Sequence, residues 1–163
     1  MEAEGLPPLP KLSPHSLRRA FCSLLYALGE APPVVMGEMG QHTANAGRIY
    51  FPSGTPDLAD IRDGAVDIAG SVGREVEEET GIPRADYRAS PHWDCVLAGR
   101  AVAMIRILQV DMPGEALRRR IEANLAGQQM PELSAIHLVR STSDLTAAMP
   151  RFVTAFIESQ FAS

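Results

Sequence analysis

The chain has 163 residues, of which 45% are hydrophobic and 21% charged, and its 15 basic against 20 acidic side chains give a net charge of −5. This length and composition predict one globular domain and exclude a chain that is disordered throughout. The negative net charge argues against stable binding to nucleic acids or anionic membranes, because both require a basic surface.

The two cysteines and the absence of a long apolar run indicate where such a protein works. Cys22 and Cys95 are too few for a disulfide framework and too isolated for a zinc site. No apolar run approaches the roughly 20 residues needed to cross a bilayer, and the acidic start of the chain does not have the order of a signal peptide. We therefore expect a cytoplasmic protein with no membrane partner.

The N-terminal half begins with a proline-rich segment. Four prolines lie within residues 5–14, GLPPLPKLSP, which predicts an extended N-terminal arm over residues 1–19 and a single domain over 20–163. The segment 19–28 is compatible with either helix or strand, and the loop-like residues 29–32 after it favour a strand that pairs with the apolar run 32–40. A third strand is predicted for residues 48–51.

The C-terminal half alternates between helices and strands. After the glycine- and aspartate-rich loop 53–67, Asp67 is a candidate N-cap for a helix that ends before Gly81. A hairpin that turns at residues 98–99, a helix that follows Pro113, a strand and a closing helix follow in order. The hairpin is expected at 93–110, the helix at 114–127, the strand at 133–140 and the closing helix at 149–161. This order of elements predicts an α+β fold with helices on a mixed sheet.

The helix that ends before Gly81 carries an unfavourable set of charges. Four glutamates crowd its C-terminal half, where the helix dipole already presents negative charge, and Arg74 is the nearby cation in sequence. At about 100° per residue, Glu75, Glu78 and Glu79 share one face and Glu77 lies on another. Such a face suits Mg²⁺ or Mn²⁺, and the alternative is a solvated acidic surface.

Residues 74–82, REVEEETGI, match the pattern R-E-U-x-E-E-x-G-U, where U is aliphatic, and the helix follows a strand that ends in FPSG at 51–54. This segment resembles the core of the Nudix hydrolase signature. The resemblance implies a Nudix-type α/β/α sandwich around a mixed sheet. It also implies Mg²⁺- or Mn²⁺-dependent hydrolysis of a diphosphate bond in a small, nucleoside diphosphate-linked substrate, in a protein that could form a homodimer.

The same resemblance implies roles for individual residues. Glu75, Glu78 and Glu79 are expected to ligate the metal together with the backbone carbonyl of Ser53. Catalytic roles fall to Arg74, Glu75 and Glu78: Arg74 orients the carboxylates through bidentate hydrogen bonds, and Glu75 is either a ligand or the base for the attacking water.

Substrate contacts are expected from Gly54 and from Arg48 in the polar loop 41–48. An arginine in such a loop can contact a phosphate, and a solvent-exposed surface arginine is an equally good interpretation.

The upstream half of the signature departs from the family pattern, in which a glycine is followed six residues later by a glutamate that lies eight residues before the arginine. Counting back from Arg74 places Val66 at the position of the glutamate and Asp60 at the position of the glycine. If Gly54 is taken as the glycine, Asp60 falls at the position of the glutamate, and the loop before the helix is six residues longer than in the family. We favour Gly54 as the match, with Asp60 or Asp67 replacing the glutamate. This departure supports the alternative of a non-catalytic Nudix-like domain that binds a nucleotide or metabolite and regulates another process.

Overall fold

The computed structural model describes residues 21–27, 34–41, 45–54, 58–98 and 101–162. These residues form ten strands and three α-helices. The strands are β1 (Phe21–Ala27), β2 (Val34–Met39), β3 (Ile49–Tyr50), β4 (Ser53–Gly54), β5 (Ile61–Arg62), β6 (Ala65–Val66), β7 (Tyr87–Ala89), β8 (Asp94–Ala98), β9 (Ala101–Val110) and β10 (Leu133–Val139). The helices are α1 (Ile68–Thr80), α2 (Gly114–Ala126) and α3 (Arg151–Phe161).

A mixed eight-stranded sheet forms the centre of the molecule. Its main path runs β10-β2-β1-β9-β7, while β3 pairs with β2, β4 with β1 and β8 with β9. The central pair β1–β9 is parallel and the other described pairs are antiparallel. A parallel pair requires a crossover connection, and helix α1 lies within the chain segment that makes it.

Side chains that alternate along the strands create two cores, one on each face of the sheet. On β2, Val35 packs with Val76 of α1 and Leu117 of α2, whereas Val34 and the α3 residue Phe156 belong to the opposite core. Two helices therefore cover one face and α3 covers the other. This arrangement confirms the predicted α+β fold with an α/β/α sandwich around a mixed sheet.

Most predicted elements lie where the sequence places them. The ambiguous segment 19–28 contributes strand β1, and Asp67 caps α1, which ends at Gly81 in the left-handed conformation with a φ of 71°. Helix α3 begins at Arg151 rather than at residue 149, because Pro150 occupies the N-cap position. Strand β7 was not predicted, since three residues are too few for a periodic pattern.

The predicted loop 53–67 contains more structure than expected. After β4, a short 3₁₀ helix at Leu58–Asp60 leads into the two-stranded hairpin β5–β6. Asp63 and Gly64 at its turn have φ angles of 53° and 78°. Asp-Gly is a preferred dipeptide in two-residue hairpin turns whose central residues both have positive φ. The sequence therefore contained a signal for this hairpin, and the prediction of a plain loop did not use it.

Several predictions lie outside the described residues: the arm at 1–19, the loop at 29–32 and residue 99 of the predicted turn. Among the helices that the structure describes, none is long and apolar enough to cross a membrane.

Candidate active site

Helix α1 presents the signature glutamates at fixed angles because its two ends and its inner face are fixed. The Asp67 carboxylate accepts a hydrogen bond from the Gly70 N–H at 2.9 Å, and the Gly81 N–H donates to the Glu77 carbonyl at 2.8 Å. Val72 and Val76 are 4% and 0% exposed against the sheet. Burial of this apolar side sets the rotation of the helix and turns the acidic face toward β4.

Glu79 is the most buried carboxylate of this face, with 6% of its surface exposed. Burial raises its pKa to about 8, helped by the negative charges of Glu132, Glu75 and Glu78, while a backbone hydrogen bond from Ser53 acts in the opposite direction. The structure thus places Ser53 beside Glu79, with a backbone contact already made to the carboxylate.

Glu75 and Glu78 are more accessible than Glu79. Their side chains are 21% and 64% exposed. Burial raises the pKa of Glu75 and the charge of Glu78 raises it further, whereas Arg74 lowers it. The predicted grouping of the three glutamates on one helical face is therefore present, and the three differ in burial.

Glu132 is a fourth carboxylate that sequence reasoning missed. It directly precedes β10, and its carbonyl accepts a hydrogen bond from the Gly40 N–H at 2.7 Å at the end of β2. Its charge raises the pKa of both Glu75 and Glu79. No local pattern could identify it, because pairing of β10 with β2 carries it to the acidic face from more than fifty positions away.

Arg74 connects the acidic face to the 3₁₀ helix Leu58–Asp60. Its guanidinium forms a bidentate pair with Asp60, with Nη1–Oδ1 and Nη2–Oδ2 distances of 2.6 and 3.2 Å, and Asp60 is only 4% exposed. The same group lies 3.7 Å from Glu75 Oε1 and 4.0 Å from Glu78 Oε1. Asp60 thus holds the arginine, and Asp67 serves as the helix cap.

Gly54 packs against the acidic face from β4. A methyl group at this position would overlap the Glu75 side chain, with the Glu75 carboxylate oxygen at 2.7 Å. The position therefore requires glycine for a steric reason, because the backbone of β4 approaches the glutamate closely.

Arg48 is not joined to this group of residues. It is exposed immediately before β3, and its carbonyl accepts a hydrogen bond from the Met39 N–H at 2.9 Å. Among the residues that the structure describes, its guanidinium makes no hydrogen bond and no ion pair.

The donor set suits a hard divalent cation, because carboxylate oxygens are the ligands that Mg²⁺ and Mn²⁺ prefer. Within the described ranges, no three acidic, histidine or cysteine side chains are already arranged around one point. The Arg74 guanidinium lies 3.7 Å from Glu75 and 4.0 Å from Glu78, so both carboxylates face the same cation.

Comparisons with known proteins agree with this architecture. No protein-family model and no curated protein sequence matches the chain. Among solved structures, a Nudix hydrolase from Alicyclobacillus acidocaldarius superposes with a TM-score of 0.61 at 13% identity, covering 90% of this chain and 92% of its own. The chain has the Nudix fold.

Two other Nudix structures share the fold at similar identity. An Ap4A hydrolase from C. elegans, in a binary complex, gives a TM-score of 0.54 at 12% identity over 77% of this chain and 82% of its own. The Nudix domain of Shewanella oneidensis NrtR, complexed with ADP ribose, gives 0.50 at 13% identity over 92% of each chain. In this chain, α1 carries residues 74–80 of the segment that resembles the Nudix signature.

Proposed function

We propose that this protein is a metal-dependent hydrolase that cleaves a diphosphate bond in a nucleoside diphosphate-linked compound, with Mg²⁺ or Mn²⁺ as cofactor. The observation that carries the proposal is the group of four carboxylates at α1, in which the charges of Glu75, Glu78 and Glu132 all raise the pKa of the buried Glu79. A divalent cation compensates such a concentration of negative charge and binds phosphate oxygens at the same time.

In this proposal Glu75, Glu78 and Glu79 hold the metal with the Ser53 carbonyl, and Glu132 is available as a further acidic group. Bound metal supplies charge neutralisation for the phosphates and makes water more acidic. Glu75 is either a ligand or the base that receives the proton of the attacking water. Arg74, held by Asp60, keeps the carboxylates of Glu75 and Glu78 oriented.

The test is a panel of nucleoside diphosphate derivatives incubated with Mg²⁺ or Mn²⁺, with release of mononucleotide or phosphate as the measurement. We expect Glu79→Gln to abolish metal-dependent hydrolysis while circular dichroism shows a folded protein, because an amide cannot replace a charged ligand. Glu158→Gln, on the exposed surface of α3, is the matched control and should retain full activity. Turnover by Glu79→Gln at the wild-type rate would contradict the proposal.

A second candidate is a non-catalytic domain that binds a nucleotide or metabolite and regulates another process. It is favoured by the similarity to the NrtR Nudix domain, which was solved with ADP ribose, and by the altered first half of the signature. Calorimetric binding of ADP ribose without hydrolysis of any panel compound, at saturating metal, would support this candidate over the hydrolase.

A further inference from the structure

A cleft of about 820 Å³ runs along α1 next to the acidic face, from which Arg74 and Glu78 also line it. Its lining includes two glycines and a glutamate of the helix, Gly70, Gly73 and Glu77, together with Arg84 and Arg106 from the following segment and β9. Glu78 borders it as well, so the cleft begins where the acidic face ends. We call it the arginine cleft.

Both arginines of the cleft are held in place through aromatic rings. The Arg84 guanidinium lies 4.9 Å from the ring centroid of Tyr87, and its Nη1 donates to the Tyr87 carbonyl at 3.0 Å. The Arg106 guanidinium lies 5.2 Å from the Trp93 ring, and its Nε donates to the Ser90 carbonyl at 2.8 Å. Each of these hydrogen bonds uses one of five N–H groups, so the other donors remain available in a fixed plane.

Neither arginine is neutralised by a carboxylate. In the part of the chain that the structure describes, Arg84 and Arg106 form no ion pair, whereas Arg74 at the border of the cleft is paired with Asp60. Burial raises the pKa of the Tyr87 hydroxyl, and Arg84 and Arg106 both act against this rise, so the two cations act on the same point from within the same cleft. Glu77 and Glu78 also line the cleft, but within the described residues neither forms an ion pair with Arg84 or Arg106.

The helix wall of the cleft carries no side chain at two positions, Gly70 and Gly73. A methyl group at Gly73 would lie 3.3 Å from the Tyr87 hydroxyl, a closer contact than most Cβ atoms make. Glycine inside a helix costs about 1 kcal/mol relative to alanine, and at this position it keeps the wall of the cleft free of a side chain. Its effect is to leave room for a ligand against the helix.

We propose that the arginine cleft binds the phosphate group of a small phosphate-bearing molecule, through the free N–H groups of Arg84 and Arg106. Arginine donors in a fixed fork match the oxygens of a phosphate. This part of the inference rests on the proposed function: Glu78 belongs both to the acidic face and to the lining of the cleft, so one substrate can reach both. A substrate whose diphosphate lies at the acidic face extends a further phosphate into the cleft, so the preferred substrates carry a phosphate beyond the scissile diphosphate.

The binding half of the proposal can be tested without turnover. Trp93 is the single tryptophan of the chain, so its fluorescence in EDTA reports on the Arg106 side of the cleft. We expect adenosine 5′-monophosphate to change this fluorescence and adenosine to bind at least about tenfold more weakly. Arg84→Gln, which leaves the Trp93 stack intact, and Arg106→Gln should each weaken binding of the monophosphate about tenfold or more, with calorimetry as the second measurement.

Arg88→Gln is the control, because Arg88 is exposed on β7 between Tyr87 and Ala89 and strand geometry directs it to the other face of the sheet. Equal binding of the monophosphate by wild-type protein and Arg84→Gln, or equal loss in Arg88→Gln, overturns the proposal whether or not the protein is a hydrolase.

The substrate half is tested by kinetics on any hydrolysed panel compound that carries a phosphate beyond the scissile diphosphate. Arg84→Gln should raise KM about tenfold and leave kcat unchanged, because the cleft contacts a part of the substrate remote from the reacting bond. If Arg84→Gln loses binding of the monophosphate but keeps the wild-type KM, the cleft binds phosphate without contacting the substrate. Failure of the whole panel would contradict the hydrolase proposal and leave the fluorescence result to decide on the cleft.

Discussion

At the scale of single residues, identical letters of the signature occupy different environments. Glu79 is 6% exposed, whereas the side chain of Glu78 is 64% exposed only one position earlier. Sequence spacing predicts that both lie on one helical face, since that depends on the helical repeat alone. It does not predict burial, which depends on what β4 and the start of β10 place over the helix.

The raised pKa of Glu79 predicts how stability depends on pH in the absence of metal. Below pH 4.5, its ordinary pKa, the carboxyl is protonated in both states; between 4.5 and about 8 the unfolded chain loses the proton while the folded protein keeps it. The free energy of unfolding should therefore fall as pH rises through this window, by at most about 1.4 kcal/mol per pH unit from this group.

Thermal unfolding in EDTA between pH 5 and 9 measures this effect. Glu79→Gln should have a flatter profile and a higher melting temperature than wild type near pH 9, since its amide does not ionise. Parallel profiles for the two proteins would show that Glu79 is not the group responsible.

Gly54 gives a second prediction at this scale. Gly54→Ala should fold but lose about a hundredfold in kcat, because the new methyl group displaces the Glu75 side chain from its position against β4. Gly127→Ala is the matched control, since a methyl group there meets only an ordinary contact, 3.5 Å from the Asn124 carbonyl. Full activity in both variants would contradict a role for Glu75 at its present position.

At the scale of elements, the segment 58–66 folds into a compact unit before α1. The 3₁₀ turn and the hairpin β5–β6 bring the Asp67 N–H to 2.8 Å from the Asp60 carbonyl. The extra residues therefore fold back on themselves and return the chain to the start of α1. Asp60 is left buried beneath Arg74, at the place where the sequence offered two candidate aspartates.

Asp60→Asn should lower the free energy of unfolding by about 1–3 kcal/mol, because it removes a charge-assisted bidentate pair whose arginine is partly exposed. It should also reduce kcat, since Arg74 is then free to pair more closely with Glu75 and Glu78. Chemical denaturation and the panel assay measure the two effects.

Asp67→Asn is the matched control for that variant, because asparagine caps a helix as well as aspartate does and the exposed contact of Asp67 with Arg62 contributes little. Equal destabilisation of the two variants would assign no special role to the Asp60–Arg74 pair.

At the scale of the whole molecule, the sheet order assembles the acidic group. Strand β10 lies at one edge beside β2, and Glu132, the residue directly before β10, is thereby brought close to the glutamates of α1. The net charge of −5 thus has a local concentration at α1, while the arginine cleft beside it supplies two cationic side chains, Arg84 and Arg106. A protein with a negative net charge can bind phosphate ligands when its acidic and basic side chains are separated into different regions of the surface.

Metal binding should stabilise the whole domain, because the ligands come from elements that are distant in the unfolded chain. At a Mg²⁺ concentration about a hundred times its dissociation constant, the gain is about 2.7 kcal/mol, or roughly 5–10 °C in the melting temperature. The shift should be larger at pH 9 than at pH 6, because the carboxylates must lose their protons to bind. Glu79→Gln should reduce the shift and Glu158→Gln should not; an equal shift in both would place the bound metal elsewhere.

The sequence alone determined the features that depend on local periodicity and capping. These are the bounds of α1, its ends at Asp67 and Gly81, and the grouping of Glu75, Glu78 and Glu79 on one face, all of which follow from helical geometry. Only the tertiary structure decided that Asp60 holds Arg74, that Glu132 joins the glutamates and that Arg84 and Arg106 meet in one cleft. Those contacts depend on how the sheet and the inserted hairpin bring together residues far apart in the chain, and no local pattern encodes them.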